Sequence, residues 1–450
     1  MKNNSKYFFC GIGGSGMSAL AKVLKSKGAE VTGSDRNLEA PAVKELENLG
    51  VKVFTQDGAG VPDDAVFVVS SAVEDTVPDV MRAKDLGLVI KKRAEILAEI
   101  LHSGKGVAVA GTSGKTTTTA MLGWILDFSG MNPDIINGGV MLNYESNVRM
   151  GGGEAIVVEA DESDGSIKLY TPYVALVTNI SLDHKPLEEL RGLFKDFVKR
   201  AEFGAVLNAD CVEAAALTKV NPNTITFSTE GRKATFVAED IKITPQGSSF
   251  TVKGVKFEMP IVGRHNVADA MAALSAAFML GVPLEKSAQG LKEFKGVHRR
   301  MELMGEPGGI KVFDDFAHNP AKIEGTLRAL KEAYPEAAIF VVFQPHGFAP
   351  TKLMKDGLVD ALDKTLSKRD RVIFLNIFYA GGTVAKDISS ADLVEVLKDR
   401  AGVHSFYSSK RKWALKYIKD RAQAGDIAVI MGARDDTLSD LAKELVEGLK

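Results

Sequence analysis

Cysteine is nearly absent: Cys10 and Cys211 are the only two in 450 residues. Two thiols make no disulfide framework, and no Cys/His cluster has the spacing of zinc ligands. Long apolar runs are missing as well, with none near the ~18 residues that would cross a bilayer. The opening MKNNSKYFFCGIGG carries no extended apolar stretch ahead of its glycines, so no secretory leader is read there. Nor does either sign of charge dominate: 56 Lys+Arg against 58 Asp+Glu leave a net −2. That balance excludes the basic footprint of a nucleic-acid binder and a polybasic membrane contact. What remains is an ordinary globular composition, 45% hydrophobic and 25% charged, expected in the cytoplasm. The length suggests about three domains, each with a core of its own.

The most informative stretch is Gly111-Thr112-Ser113-Gly114-Lys115-Thr116-Thr117-Thr118-Thr119. An apolar run over 106–110 reads as a buried strand, and Met121, Leu122, Trp124, Ile125 and Phe128 then recur at helical spacing. Strand, glycine turn, lysine, hydroxyl and helix is the order that holds a polyphosphate. Backbone N–H groups cradle the phosphate oxygens, Lys115 neutralises charge and the Thr116 hydroxyl can ligate Mg²⁺. Val109 stands where the longer G-x4-GK-[ST] pattern wants glycine, leaving the shorter G-x-x-G-K-T.

A second glycine turn lies near the start. Tyr7 to Cys10 leads into Gly11-Ile12-Gly13-Gly14-Ser15-Gly16, followed by a helical stretch and a strand ending at Asp35. An acid about 20 residues past such glycines sits where a ribose hydroxyl is bound in dinucleotide folds. NAD, another nucleotide or its diphosphate, and a tight turn without ligand all remain open on this pattern. Ala65 to Val69 delivers Ser70 and Ser71 to the same sheet edge.

Two further apolar strands end in chemistry. Ala155 to Val158 runs into Glu159, then Asp161, Glu162 and Asp164; Val174 to Val177 runs into Thr178-Asn179 and Asp183-His184. Parallel strands present functional groups at their carboxyl ends, so Thr116, Glu159 and His184 are the expected Mg²⁺ set. Residues 234–260 alternate as an antiparallel excursion, and Asn266 can either cap the small-residue helix that follows or meet a ligand. Beyond Gly296-Val297-His298-Arg299-Arg300 strict βα alternation resumes. Its strands read as 310–313, 338–343, 371–377 and 426–431, and their ends carry Asp314-Asp315-Phe316-Ala317-His318-Asn319-Pro320, Gln344-Pro345-His346, Tyr379-Ala380-Gly381-Gly382 and Gly432-Ala433-Arg434-Asp435. The expected class is α/β. A Rossmann-like domain covers 1–103, a central P-loop-type parallel sheet with a small antiparallel sheet 104–297, and a second Rossmann-like domain 298–450.

In this order the motifs GIGGSGMS, SSAV, GTSGKTTTT, EADESDGS, TNISLDH, GRHN, GVHRRME, DDFAHNP and FQPH resemble those of the Mur ligases, the ATP-dependent amino-acid ligases of peptidoglycan synthesis. The resemblance covers essentially the whole chain. Within the family it is most similar to the branch that joins L-alanine to UDP-N-acetylmuramate, with the murein tripeptide ligases of recycling as near relatives. It implies that Gly11, Gly13, Gly14, Ser15 and Gly16, with Asp35, Ser70 and Ser71, hold the UDP-sugar. It implies an ATP site of Gly111, Thr112, Ser113, Gly114, Lys115, Thr116 and Thr117, with His265 and Asn266 at the adenine, Arg300 at the transferred phosphate and Asp315 at the ribose. Lys115, His184, Arg300, His318 and His346 are the implied catalytic set, the last two near the incoming amino acid or short peptide. The implied chemistry is an acyl phosphate captured by a free amine, with ATP and Mg²⁺ consumed or bound. Closure of the third domain is expected to bring Arg300 and Asp315 to the phosphate loop, in a monomer or homodimer.

Two departures from that branch stand out, one in the phosphate loop and one touching the amine. Gly347 and Pro350 stand where the alanine-adding branch carries arginines after Gln-Pro-His, and Ser113 replaces its usual histidine; Lys352 or Arg434 is left to hold the amine's carboxylate. A nicotinamide-dependent oxidoreductase built on the first glycine turn leaves Lys115, Glu159 and His184 without a purpose. A non-catalytic nucleotide switch is the other rival.

Overall fold

The computed structural model describes residues 5–70, 73–162, 165–181, 186–379, 381, 385–400 and 402–449; the expected ligands Ser71 and His184 fall outside them. The chain forms two compact units. One comprises Met1–Glu239, Thr251–Phe257 and Ala268–Phe294; the other comprises Asp240–Phe250, Glu258–Val267 and Lys295–Lys450.

The first unit holds two parallel-dominated sheets. Strands β1 (Lys6–Cys10), β2 (Glu30–Asp35), β3 (Lys52–Thr55), β4 (Val66–Val69) and β5 (Ile90–Lys92) pair in the order β3-β2-β1-β4-β5, all parallel. The larger sheet contains β6 (Lys105–Ala110), β7 (Asp134–Met141), β8 (Ser146–Arg149), β9 (Ala155–Glu159), β10 (Val174–Val177), β11 (Gly204–Asn208), β12 (Thr224–Ser228) and β13 (Phe236–Val237). Its order is β13-β12-β11-β10-β6-β9-β7-β8, with only β7 and β8 antiparallel. The phosphate-loop strand is therefore central. Val107, Ala108, Val109 and Ala110 are all fully buried, as a continuous apolar run in a sheet covered on both faces should be. One apolar cluster runs from Tyr7 and Phe9 through Val158 and Phe194 to Leu217, uniting the two sheets.

Strands β14 (Glu239–Thr244), β15 (Gly247–Val252) and β16 (Val255–Met259) form a small sheet in sequential order. Two-residue connections suit the antiparallel excursion that the alternation predicts.

In the second unit, β17 (Glu302–Gly305), β18 (Lys311–Asp315), β19 (Ile339–Gln344), β20 (Arg371–Phe374), β21 (His404–Tyr407) and β22 (Ile427–Gly432) pair as β17-β18-β22-β19-β20-β21. All neighbours are parallel except β17 and β18. Apolar cores cover both faces, one around Phe343 and Leu327 and the other around Val342 and Ile430. The edge strands β17 and β21 carry no buried apolar run, which is why the sequence pattern shows only the four inner strands. Among the described residues no helix is long and apolar enough to cross a membrane.

Candidate active site

Strand β6 stops at Ala110, and the helix Lys115–Phe128 starts at Lys115. Gly114 between them has φ +84, and a Cβ there would lie 2.2 Å from the Asp269 Oδ1, so both conformation and space demand glycine. The loop is clamped from β10's carboxyl end. Ser113 N donates to Asn179 Oδ1 at 3.0 Å, while Asn179 Nδ2 and Thr178 Oγ1 donate to Ser113 O at 2.9 and 2.6 Å. Thr112 N donates to Asn179 O at 3.1 Å, and the Thr112 hydroxyl accepts from Ser181 N at 3.0 Å. The first four residues of TNISLDH thus include the loop's scaffold.

Lys115 Nζ donates to Gly111 O and to Glu162 Oε2, each at 2.8 Å, with Asp161 at 3.9 Å. Burial works against its charge, but Glu162, Asp161 and Glu159 outweigh that and hold the ammonium above its ordinary pKa. Thr116 Oγ1 lies 3.0 and 3.2 Å from the two Glu159 oxygens, because β9 pairs with β6 in the register Val109↔Glu159. Two of the three expected metal ligands are therefore together; His184 lies outside the described residues. Thr117 is buried, and the buried Thr118 and Thr119 hydroxyls find no partner among the described residues. The site fits a Mg²⁺–nucleotide: the paired hydroxyl and carboxylate are hard oxygen donors, and a charged lysine stands over a glycine cradle.

The other glycine turn follows β1. Gly11 N and Ile12 N donate to Ser34 O at 2.8 and 2.9 Å, and Gly14 caps the helix Ser15–Ser26. Gly13 N donates to Asp35 Oδ2 at 2.8 Å and Asn37 N to Asp35 Oδ1 at 2.9 Å. The expected ribose acid thus secures the loop with both oxygens. Strand order reverses between β1 and β4, the place where open α/β sheets bind ligands, and Ser70 follows β4 there. Sequence reasoning passed over Arg93: a Cβ on Gly16 would lie 3.2 Å from its Nη1, so a guanidinium stands beside the helix start and the half-buried Gly16. Only an isolated arginine opening the KKRAEIL helix marked it.

In the second unit the adjacent arginines part company. Arg299 is 5% exposed. Its Nη2 donates to Gly432 O at 2.7 Å and its Nη1 to Asp435 O at 3.3 Å, and its Nε lies 3.4 Å from Asp314 Oδ1. Arg300 is half-buried, its guanidinium 5.1 Å from the Phe316 ring centre. Arg299 and Met301 both hold positive φ, +57 and +51; Glu302 accepts from Arg299 N at 2.8 Å and Asp315 from Met301 N at 2.7 Å, which pins this strained turn around Arg300. Asp315 also accepts from Ala317 N at 2.9 Å and Thr326 Oγ1 at 3.0 Å. Its carboxylate shapes the turn from within, at 6% exposure.

His318 and His346 come together, ring centres 5.2 Å apart. His318 Nδ1 lies 2.8 Å from Phe316 O, which assigns the proton to Nδ1 and leaves Nε2 as an acceptor. Burial and the nearby Lys322 pull His318 down to about 3, and burial with Arg434 and Lys322 lowers His346. Lys352 is not in this group; it pairs with Asp387 at 2.5 Å on the surface. His265 and Asn266 open the helix Arg264–Met279. Asn266 lies inside the first turn and donates back to Val262 O at 2.8 Å, so of its two open readings the cap is not formed: the helix starts two residues earlier.

Three family descriptions match successive segments: Mur ligase family, catalytic domain over residues 6–105; Mur ligase middle domain over 109–277; and Mur ligase, glutamate ligase domain over 299–434. The UDP-N-acetylmuramate–L-alanine ligase of Geobacter sp. (strain M21) is 36% identical over 440 residues, 94% of each chain. The crystal structure of UDP-N-acetylmuramate-alanine ligase from Thermotoga maritima matches with a TM-score of 0.82 at 27% identity, covering 98% of both chains. A murein peptide ligase from Psychrobacter arcticus matches at 0.69 and 25%, covering 99% of both. With the parallel-dominated sheets and the phosphate loop already in place, the α/β architecture is the three-domain one of these ligases, and the chain belongs to the Mur ligase family.

Proposed function

We propose that this ATP-dependent ligase joins L-alanine to the carboxylate of UDP-N-acetylmuramate through an acyl phosphate, releasing ADP and phosphate. The observation that carries the reading is that Lys115 and Thr116 follow one glycine loop, with the Thr116 hydroxyl against Glu159 at the end of β9, in a chain so similar to L-alanine ligases. A carboxylate does not yield an amide at neutral pH because its oxygen leaves poorly; phosphorylation supplies a leaving group. Phosphoryl transfer asks for position and charge neutralisation. Lys115 would grip the β- and γ-phosphates, and Arg300, held rigid by its turn, would meet the transferred group. Mg²⁺, held by Thr116 and Glu159 with His184 as the further expected ligand, would neutralise charge on the phosphate oxygens. The turn Gly11–Gly16, with Ser70, Ser71 and Arg93, would take the diphosphate of the sugar nucleotide at a helix N-terminus.

His318 and His346 are neutral at pH 7, so both can accept a hydrogen bond from the incoming amine. With its pKa near 3, His318 orients the nitrogen more effectively than it removes a proton. The test is phosphate release with ATP, Mg²⁺ and UDP-N-acetylmuramate, surveyed over L-Ala, Gly, L-Ser and the murein tripeptide. Strongest stimulation by L-Ala is expected. Stimulation by the tripeptide alone would move the chain to the recycling branch, and stimulation by no amine would end the reading.

A further inference from the structure

Nothing yet accounts for how the amine's carboxylate is recognised once the two arginines after Gln-Pro-His are gone. Their absence is built into the loop. Gly347 has φ +69, and a Cβ there would meet Pro350 Cδ at 3.1 Å, so the two replacements lie against each other and a side chain at 347 would be strained in both conformation and space. Lys352, the nearest cation along the chain, is occupied by Asp387.

The sheet supplies another source. Strand β22 lies between β18 and β19, with Asp315↔Met431 and Gln344↔Gly432 in register. Three chain segments therefore leave one edge side by side: His318 follows β18, Arg434 follows β22 and His346 follows β19. Arg434 is exposed and holds φ +70. Its turn is fixed from both sides. Arg299 holds the carbonyls of Gly432 and Asp435, while the Asp435 carboxylate accepts from Thr437 N at 3.1 Å and pairs with Arg411. A strained residue kept in place by this many contacts is a mark of function. Lys322 stands in the first turn of the helix Pro320–Ala333, whose cap Asn319 accepts from Lys322 N at 3.0 Å. The charges bearing most strongly on the two imidazoles among the described residues are cationic: Lys322 and Arg300 on His318, Arg434 and Lys322 on His346.

We infer that Arg434 and Lys322 form the subsite for the carboxylate of the incoming amino acid, taking the place of the missing arginines and turning its amine toward His318 and His346. The inference rests on the proposed ligase reading. A guanidinium and an ammonium around one carboxylate give charge-assisted contacts, and their loss should weaken binding of the amine without touching ATP or the sugar nucleotide.

The experiment measures initial rates of the full-length protein with ATP and UDP-N-acetylmuramate saturating, varying L-alanine and, separately, L-alaninamide. The variants are Arg434→Asn, which tolerates the left-handed backbone, Lys322→Gln, and Lys352→Ala as control. Arg434→Asn and Lys322→Gln are each expected to raise KM for L-alanine about 10- to 150-fold and to erase most of the preference for L-alanine over its amide. KM for ATP stays at the wild-type value, and Lys352→Ala behaves as wild type. An unchanged KM and an unchanged preference in Arg434→Asn, in an enzyme that turns over L-alanine, overturn the subsite and leave the ligase reading standing. Raised KM in Lys352→Ala alone does the same. A wild-type protein that no amine stimulates overturns both.

Discussion

Glu162→Gln separates two meanings of the Lys115 ion pair. In this structure the ammonium has a carboxylate 2.8 Å away, and both side chains are largely shielded, 13% and 6% exposed. If Glu162 holds Lys115 in readiness for a triphosphate, nucleotide and carboxylate compete for one cation. Removing the charge while keeping the shape then has two opposite effects. The nucleotide-free protein loses a buried partner, a change that costs roughly 3 kcal/mol and lowers the thermal midpoint by about 6 °C. Asp161 at 3.9 Å and Gly111 O at 2.8 Å remain, so the figure is a ceiling. Nucleotide binding gains, because Lys115 no longer gives up Glu162 on meeting the phosphates. About tenfold tighter ATP binding corresponds to ~1.4 kcal/mol, well below the ~4 kcal/mol of a unit-charge pair at 4 Å near a protein surface. Thermal denaturation across an ATP titration reads both at once: the variant should start lower and gain more from ATP than the wild type does. A variant that is less stable and also binds ATP more weakly would refute competition, and would make Glu162 part of the nucleotide site itself.

Three further outcomes follow from the same geometry. Arg299→Met should destabilise the second unit by about 3 kcal/mol or more, since Asp314 loses the guanidinium beside it, whereas Arg300→Gln should cost less stability than that and slow phosphate release about 100-fold or more; a matched pair of melting and rate measurements checks both. Gly114→Ala should weaken ATP binding in calorimetry about tenfold or more, a left-handed alanine costing ~1–2 kcal/mol before the Asp269 contact is counted; Gly231→Ala, at φ +75 with nothing within 4 Å, should show the backbone cost and no loss of affinity. His318 has its folded pKa lowered to about 3 from 6.5, so below pH 6.5 the unfolded chain takes up the proton and stability falls with pH by up to about 1.4 kcal/mol per unit. His318→Gln should flatten that acid limb between pH 6.5 and 5 in denaturant titrations, His346 acting in the same direction.

The glycine turns and the strands feeding them were legible because their causes are local. A buried strand needs a continuous apolar run, and a turn that must adopt positive φ needs glycine at one position. The inner strands β18, β19, β20 and β22 show themselves for the same reason, while β17 and β21 at the edges do not. Asn266 was open between a cap and a ligand contact because the capping signal is also local; the helix begins earlier at Arg264 and the side chain turns back to Val262 O, which removes the cap. The Thr116–Glu159 pair was legible through strand order: a hydroxyl opening one helix and a carboxylate ending a neighbouring strand converge once the sheet is parallel.

Whether a polar residue faces a ligand or serves the scaffold is decided by partners far along the chain, and there the sequence is silent. Arg299 and Arg300 are chemically identical neighbours, yet one is fixed by Gly432 and Asp435, more than 130 residues away. Asn179 stands at a polar strand end beside the phosphate loop and is spent on Ser113, 66 residues back. Asp35 and Asp315 read as ribose acids, and both have their oxygens committed to backbone amides. The four cases share a logic. A loop that must hold phosphate, sugar or amine in one geometry has few apolar contacts of its own, so buried side chains donate and accept in their place. Residues of this second kind fail by loosening a turn and those of the first by losing a charge, and only the second failure should appear in a melting curve before it appears in a rate.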